Sequence, residues 1–301
     1  MTEASRADAS RALELDALRP SRGLWGDAWR RFFRTPSAVI GLVMVSIFVL
    51  VAIFAPFLAP YDPSDANLSE SLAPPSAEHP LGQDLQGRDE LSRIIYGARN
   101  SLQIGIISVT IGVSIGLIIG AIAGYMGGWV DSVLMRVMDM MLAIPGLLFA
   151  IAIVAVLGPG LYQVMIAIGI VNIPIFARLL RGSILHLKTS DYALSARSIG
   201  ASGPRILGSH LLPNALTPLI VAATLAVATA VIDAAGLGFL GLGPQDPRTA
   251  EWGTMLADAP LYLARAPHLA IFPGLAIVLS VLGFNLLGDG LRESLDPRLR
   301  R

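Results

Sequence analysis

The chain has 301 residues, of which 54% are hydrophobic and 15% are charged, whereas soluble domains carry about 25% charged residues. Its 22 basic and 22 acidic residues cancel, it contains no cysteine, and its mean hydropathy is +0.65. These values exclude a disordered chain, a nucleic-acid-binding protein with a general basic charge, disulfides, zinc–thiolate sites, iron–sulfur clusters and cysteine-linked lipid anchors.

The first 37 residues are predicted to form a cytoplasmic tail followed by an interfacial amphipathic helix. Residues 1–23 show no strong hydrophobic period, whereas residues 24–34 place aromatic side chains on one helical face with arginines around them. These side chains are Trp25, Trp29, Phe32, Phe33, Arg30, Arg31 and Arg34. The alternative is an ordinary aromatic belt at the start of the first span. Both interpretations place the segment at the membrane surface, in contact with lipid.

Long segments without a charged side chain then predict an all-α integral membrane protein. A helix of about 20 residues crosses the hydrocarbon core of a bilayer, which is about 30 Å thick. The predicted spans are 38–60, 102–126, 133–157, 161–181, 215–237 and 269–288. The first span follows a polar tail and is too long for the apolar region of a signal peptide.

The second span carries small residues at every fourth position. These are Ser108, Gly112, Gly116, Gly120, Gly124 and Gly128. Such a ridge lets a neighbouring helix approach closely, so that van der Waals contacts replace the hydrophobic driving force that lipid removes. We therefore predict that this helix is tightly packed, which by itself indicates no particular function.

The charges predict which side of the membrane each loop occupies. With the N-terminus in the cytoplasm, 17 of the 22 basic residues lie in cytoplasmic segments. The external loops, 61–100 and 243–268, then hold ten acidic and five basic residues. The positive-inside rule therefore places both termini, including the tail 289–301, in the cytoplasm. In the second external loop, Trp252 and Tyr262 are predicted to lie at the membrane interface.

The predicted permease core, 101–288, contains one long polar cytoplasmic loop, 182–214. Ser190 or Thr189 can cap a short helix over 191–198, and Gly200 suits the left-handed position after it. Ser202 can cap a second helix with Pro204 in its first turn, and 212–214 is predicted to break the chain before the fifth span. Spacing alone leaves two interpretations open, a structured linker and a knob that another protein grips.

The residues of this loop resemble the "EAA" coupling loop of ABC importer permeases. The resembling residues are Asp191, Tyr192, Leu194, Ser195, Ala196, Arg197, Gly200, Ala201, Ser202, Leu212 and Pro213. Segments 79–93, 238–243, 252–258 and 272–298 resemble the C-type permease subunit of dipeptide and oligopeptide importers, as does the Thr35-Pro36-Ser37 entry to the first span. The leading Glu-Ala-Ala of the loop is replaced by Leu194-Ser195-Ala196.

This resemblance implies the fold of type I ABC importer permeases and a role in peptide import, with nickel chelates or glutathione as alternative solutes. It also implies a second, B-type permease subunit, two ATPase subunits that hold ATP and Mg²⁺, and an external solute-binding protein. A P-loop that binds ATP needs a Gly-Lys pair, whereas the single lysine of this chain, Lys188, follows Leu187. The sequence therefore also predicts that ATP is hydrolysed by other subunits. The chain is thus predicted to be no enzyme and to bind no cofactor. The chain has 21 arginines and one lysine, a ratio that is typical of high-GC bacterial genomes. The predicted location is accordingly the plasma membrane of a bacterium.

Three polar residues in or near spans are candidates for the translocation pathway, because unpaired carboxylates are costly in a membrane. Asp139 is expected to pair with Arg136 at the interface. Asp233 could face the cavity and meet a peptide amine, or it could cap a short helix. Asn172 could line the path, although packing is the favoured role.

Two other classes of function remain open. A proton-coupled secondary transporter would use Asp139 and Asp233 as relays, and a membrane-embedded enzyme would need converging catalytic residues. The four histidines are scattered and have no partner at ligand spacing, so we expect no metal site.

Overall fold

A computed structural model describes residues 24–295 as helices joined by loops, of which 59–89 is the longest, without a β-strand in that range. The predicted tails 1–23 and 296–301, and the side chain of Trp25, lie outside the described part. The helices are α1 (Leu24–Phe32), α2 (Pro36–Ile53), α3 (Ala55–Leu58), α4 (Glu90–Met126), α5 (Gly128–Leu142), α6 (Gly146–Leu157), α7 (Leu161–Leu187), α8 (Asp191–Ser198), α9 (Gly203–Phe239), α10 (Trp252–Ala257), α11 (Ala259–Tyr262) and α12 (His268–Leu295).

Five of the predicted spans are helices that are long and apolar enough to cross a membrane: α2, α4, α7, α9 and α12. Helix α4 has 37 residues, which at 1.5 Å per residue is about 55 Å and exceeds the hydrocarbon thickness. It begins at Glu90 rather than near 102, because Asp89 caps it by accepting a hydrogen bond from the Ser92 amide. Its first three turns therefore extend beyond the apolar segment.

The third predicted span is two helices, α5 and α6, which meet at an angle of 90°. The bend lies at Pro145, the N-cap of α6. Proline cannot donate a backbone hydrogen bond, and its ring disfavours helical geometry in the preceding residue. The uncharged run is long enough for a straight span, so length alone did not reveal the bend.

Helices α4 and α7 form the centre of the bundle, and the glycine ridge of α4 lies at their contact. A side-chain carbon added at Gly116 would lie 2.7 Å from Phe176 Cβ, and one added at Gly120 would lie 2.5 Å from the Ala177 carbonyl oxygen. At Gly112 and Gly124, an added carbon would meet Asn172 and Ile184 at 2.9 and 3.0 Å. The backbones of the two helices are therefore as close as glycine permits.

The predicted break before the fifth span is wrong. Helix α9 runs without interruption from Gly203 to Phe239 and passes Pro213 by means of a π-helical stretch, Ile206–Leu211. The Leu212 amide donates to the carbonyl of Leu207, five residues earlier. The wider turn lets the helix continue past a residue that has no N–H group to donate to the preceding turn.

Candidate functional site

The polar loop between α7 and α9 contains one short helix, α8, with the bounds predicted from its cap. Ser190 is extended at the N-cap, but its Oγ donates 2.6 Å to the Leu187 carbonyl rather than capping α8. Gly200 follows the helix with φ = 81°, a left-handed conformation that glycine adopts without strain. The loop therefore turns sharply and leads into α9 at Gly203.

Helix α8 is held by two buried alanines and presents larger apolar side chains outward. Ala193 and Ala196 belong to the same buried cluster as the α4–α7 core. Tyr192 and Leu194 are exposed, and Ile199 just beyond the helix is 86% exposed. An apolar surface on a polar loop indicates a site for another protein. Ile199 is not among the docking residues predicted from the sequence, and its exposure became evident only from the structure.

The remaining predicted docking residues lie in α8, in the turn after it and, for Leu212 and Pro213, within α9. Exposed residues are Asp191, Ser195, Arg197, Gly200, Ser202 and Pro213, and Ala201 and Leu212 are partly buried. The loop thus joins an apolar patch to charges of both signs. Ser195, in place of the alanine of the resembling motif, points away from the two buried alanines.

Two ion pairs join α5 to α7 near the end of α7 that leads to α8. Arg181 binds both carboxylate oxygens of Asp131, each at 2.5 Å. Asp139 pairs with Arg178. The expectation that Asp139 pairs with Arg136 is therefore wrong: α5 and α7 pack side by side, which brings the distant arginine closer. Sequence analysis missed Asp131, whose partner is 50 residues away.

The other two pathway candidates lie in different surroundings. Asn172 is buried against Gly112, and its Nδ2 donates 2.8 Å to the Ile168 carbonyl of its own helix. It therefore packs between α4 and α7. Asp233 is partly exposed in the last two turns of α9. The structure does not bring Asp139, Asn172 and Asp233 together into one cluster.

At the opposite end of α4, residues 59–89 and 240–267 form a compact structure that we call the loop cap. Arg88 and Arg93 both donate to the carbonyl of Pro247. Asp84 pairs with both arginines, and Asn100 Nδ2 donates 2.6 Å to the Ala250 carbonyl. Guanidinium groups suit this role because each supplies several donors in a fixed geometry. The two predicted external loops are thus bound to each other.

Glu251 and Trp252 anchor the loop cap in the bundle. The Glu251 carboxylate accepts hydrogen bonds from the Gly253 and Thr254 amides at 2.8 Å and from Ser101 Oγ at 3.3 Å. Burial raises the pKa of Glu251, against the opposing effect of these donors.

The prediction of Trp252 at the membrane interface is wrong. Its side chain is buried, in edge contact with Phe48. Its Nε1 donates 3.1 Å to the Ile94 carbonyl, so the indole is buried without losing its hydrogen bond.

No group of three or more histidine, aspartate or glutamate side chains within residues 24–295 is arranged to hold a metal ion. Several charged groups of this part of the chain instead join helices and loops, among them the pairs Arg181–Asp131 and Arg88–Asp84. The described geometry thus has an exposed apolar surface at α8 and the hydrogen-bonded loop cap at the opposite end.

Comparison with known families matches two segments of the chain. Residues 116–301 match the family described as binding-protein-dependent transport system inner membrane component. Residues 23–75 match the N-terminal transmembrane domain of oligopeptide transport permease C. Together the two matches include the long apolar helices α2, α7, α9 and α12 and the last part of α4, from residue 116 onward.

Two curated relatives are similar over nearly their full length. The dipeptide transport system permease protein DppC of Alkalihalophilus pseudofirmus is 48% identical over 92% of this chain and 90% of its own length. The glutathione transport system permease protein GsiD of Shigella flexneri is 50% identical over 92% of this chain and 91% of its own length.

A solved structure supports the same fold. A chain of the MetNI methionine ABC transporter, in an inward-facing conformation, superposes with a TM-score of 0.57 at 20% identity. The match covers 68% of this chain and 96% of that chain.

Proposed function

This chain belongs to the binding-protein-dependent transport system inner membrane components and is a multi-pass permease of an ABC importer; from that membership we propose how it assembles and what it carries. In the proposed complex it pairs with a B-type permease subunit, so that each contributes half of the pathway. Two ATPase subunits, which hold ATP and Mg²⁺, act from the cytoplasm of a bacterial cell. A solute-binding protein delivers the solute to the opposite side, where the loop cap lies.

The exposed apolar surface of α8 is the observation that carries the proposed docking of the ATPase. Tyr192, Leu194 and Ile199 project outward, whereas Ala193 and Ala196 fix the helix to the core. A short helix held in this way can transmit a push without bending. Closure of the ATPase pair on ATP would therefore move α7 and α9, which lead into and out of the loop.

The solute is proposed to be a dipeptide or a similar short peptide. The named solutes of the two relatives are a dipeptide and glutathione, and glutathione is itself peptide-like. Glutathione is accordingly the second candidate. The relatives differ from this chain at about half of their positions, which leaves room for either specificity.

Uptake by the complete importer in proteoliposomes tests this function. We expect labelled dipeptide to accumulate only with ATP and the binding protein. Ile199→Asp should abolish co-purification of the ATPase subunits, because it places a charge in an apolar contact.

Leu68→Asp is the matched control, since Leu68 is 75% exposed in the loop cap, away from α8. This variant should retain its ATPase subunits. Uptake that persists without nucleotide and collapses with the proton gradient would instead identify a secondary transporter.

A further inference from the structure

We propose that Tyr125, in the last turn of α4, is a positioning residue that connects both ends of the α8 loop to α4. This role rests on the proposed docking of α8 to an ATPase subunit. It adds a route by which movement of α8 reaches α4, a helix that is not directly connected to the loop along the chain.

The first contact lies where the loop begins. Lys188, the residue after α7, donates from Nζ to the Tyr125 carbonyl at 2.6 Å. The same ammonium lies 5.3 Å from the centre of the Tyr125 ring, within the range of a cation–π interaction. Lys188 therefore binds this residue through its backbone and its ring together. It is the only lysine in the chain.

The second contact lies where the loop ends. A side-chain carbon added at Gly203, the first residue of α9, would lie 2.5 Å from the Tyr125 hydroxyl oxygen and 3.3 Å from Cζ. The hydroxyl end of the Tyr125 ring thus lies against the α9 backbone at Gly203. A larger residue at this position would collide with the hydroxyl group. Tyr125 touches the chain both before and after α8.

These contacts make the ring a support between three helices. α4 is already fixed to α7 by its glycine ridge, which ends at Gly124, the residue directly before Tyr125, in contact with Ile184. A displacement of α8 must shift Lys188 or Gly203, and either shift moves the ring at the end of α4. Tyr125, Lys188 and Gly203 are all partly buried, and the direct contacts between them are what would carry the motion from the loop to α4.

A steric rescue tests the proposal in the reconstituted importer. Gly203→Ala should reduce the solute imported per ATP hydrolysed by about fivefold or more, the lower range of coupling between sites. Tyr125→Phe removes the hydroxyl that the new methyl group meets, so the double variant Tyr125→Phe/Gly203→Ala should recover most of the ratio. Gly208→Ala is the control, since nothing lies within 4 Å of a carbon added there.

The readouts separate this proposal from the proposed function. If the unmodified importer shows no ATP-dependent uptake, the proposed function fails. If it transports, and Gly203→Ala leaves the ratio unchanged or Tyr125→Phe does not rescue it, the role of Tyr125 is wrong. Should Gly203→Ala fail to assemble, Tyr125→Ala takes its place: an assembled but uncoupled importer supports the role, and normal coupling overturns it.

Discussion

Glu90 and Glu251 are two buried carboxyl groups in similar positions, but only that of Glu251 is satisfied by hydrogen bonds. Both are 1% exposed and lie next to or within the loop cap. Glu251 accepts from two amides and a hydroxyl. The Oε1 atom of Glu90 is buried and has no hydrogen-bond partner among the described residues. A buried polar atom without a partner keeps the full cost of its lost hydration.

Replacing each glutamate by leucine should therefore change stability in opposite directions. Glu90→Leu removes an unsatisfied oxygen, and we expect the free energy of unfolding to rise by about 1 kcal/mol. Glu251→Leu leaves two buried amides without an acceptor, so we expect the free energy of unfolding to fall by about 2–3 kcal/mol. Thermal unfolding in detergent measures both. Destabilisation by Glu90→Leu would show that the Glu90 carboxyl has a partner that the fold does not reveal.

At the scale of elements, the contact between α4 and α7 limits the size of side chains. At Gly116 an added carbon would also lie 2.9 Å from the Ile173 carbonyl oxygen and 3.0 Å from the Ala177 amide nitrogen. These are backbone atoms, which cannot rotate away. Lipid offers no hydrophobic driving force between helices, so this close fit supplies much of their association.

Gly116→Ala should consequently lower the stability of the bundle. Overpacking costs about 1–3 kcal/mol, more than the roughly 1 kcal/mol by which alanine favours a helix over glycine. Gly274→Ala in α12 is the matched control, because nothing lies within 4 Å of its added carbon. That variant should be neutral or stabilised. Equal stability of the two variants would mean that α4 and α7 are less closely packed than described.

The sequence predicted the apolar helices better than their ends and bends. Length and the absence of charge were sufficient to locate the spans. Ser190 at the N-cap position and the glycine at 200 were sufficient to locate α8, although the Ser190 hydroxyl donates to the Leu187 carbonyl and does not cap the helix. The 90° bend at Pro145 and the unbroken passage of α9 past Pro213 were not predictable, since proline permits both outcomes. The same residue type breaks one helix and is accommodated in another according to the surrounding packing.

Contacts between distant residues were equally hidden in the sequence. Arg178 is 39 residues from Asp139, and Trp252 is 158 residues from Ile94, whose carbonyl satisfies its indole. An expectation based on nearby residues therefore chose Arg136 for Asp139 and the membrane interface for Trp252. The small-residue spacing, in contrast, depends only on helical geometry and marked the side of α4 that contacts α7.

At the scale of the whole molecule, the arginine distribution favours one orientation in the membrane. Helices α7 and α9 lead to α8 on one side. On the other side α9 leads into the loop cap, and the Gly160 amide just before α7 donates to the Leu242 carbonyl of that cap. The positive-inside rule assigns the α8 side to the cytoplasm. The proposed docking of ATPase subunits requires the same assignment, although that proposal rests on the exposed apolar residues of the α8 loop and not on the arginines.

Single cysteines provide a direct measurement, because the chain has no cysteine of its own. We expect a membrane-impermeant maleimide to label Leu68→Cys in intact spheroplasts and to label Ile199→Cys only after the membrane is opened. Both side chains are well exposed in the chain, 75% and 86%. In cells that express the permease without its ATPase subunits, lack of labelling would therefore reflect the membrane and not burial. The reverse pattern would invert the topology and contradict docking at α8.

The bonds of the loop cap have a mechanical consequence for the whole importer. Arg88, Arg93 and Asn100 bind the start of α4 to the segment that follows α9, and Trp252 binds that segment back to α4. We therefore expect α4 and α9 to move together at the loop-cap end. A gate at this end would then open along the contact with the proposed second permease subunit and not between α4 and α9.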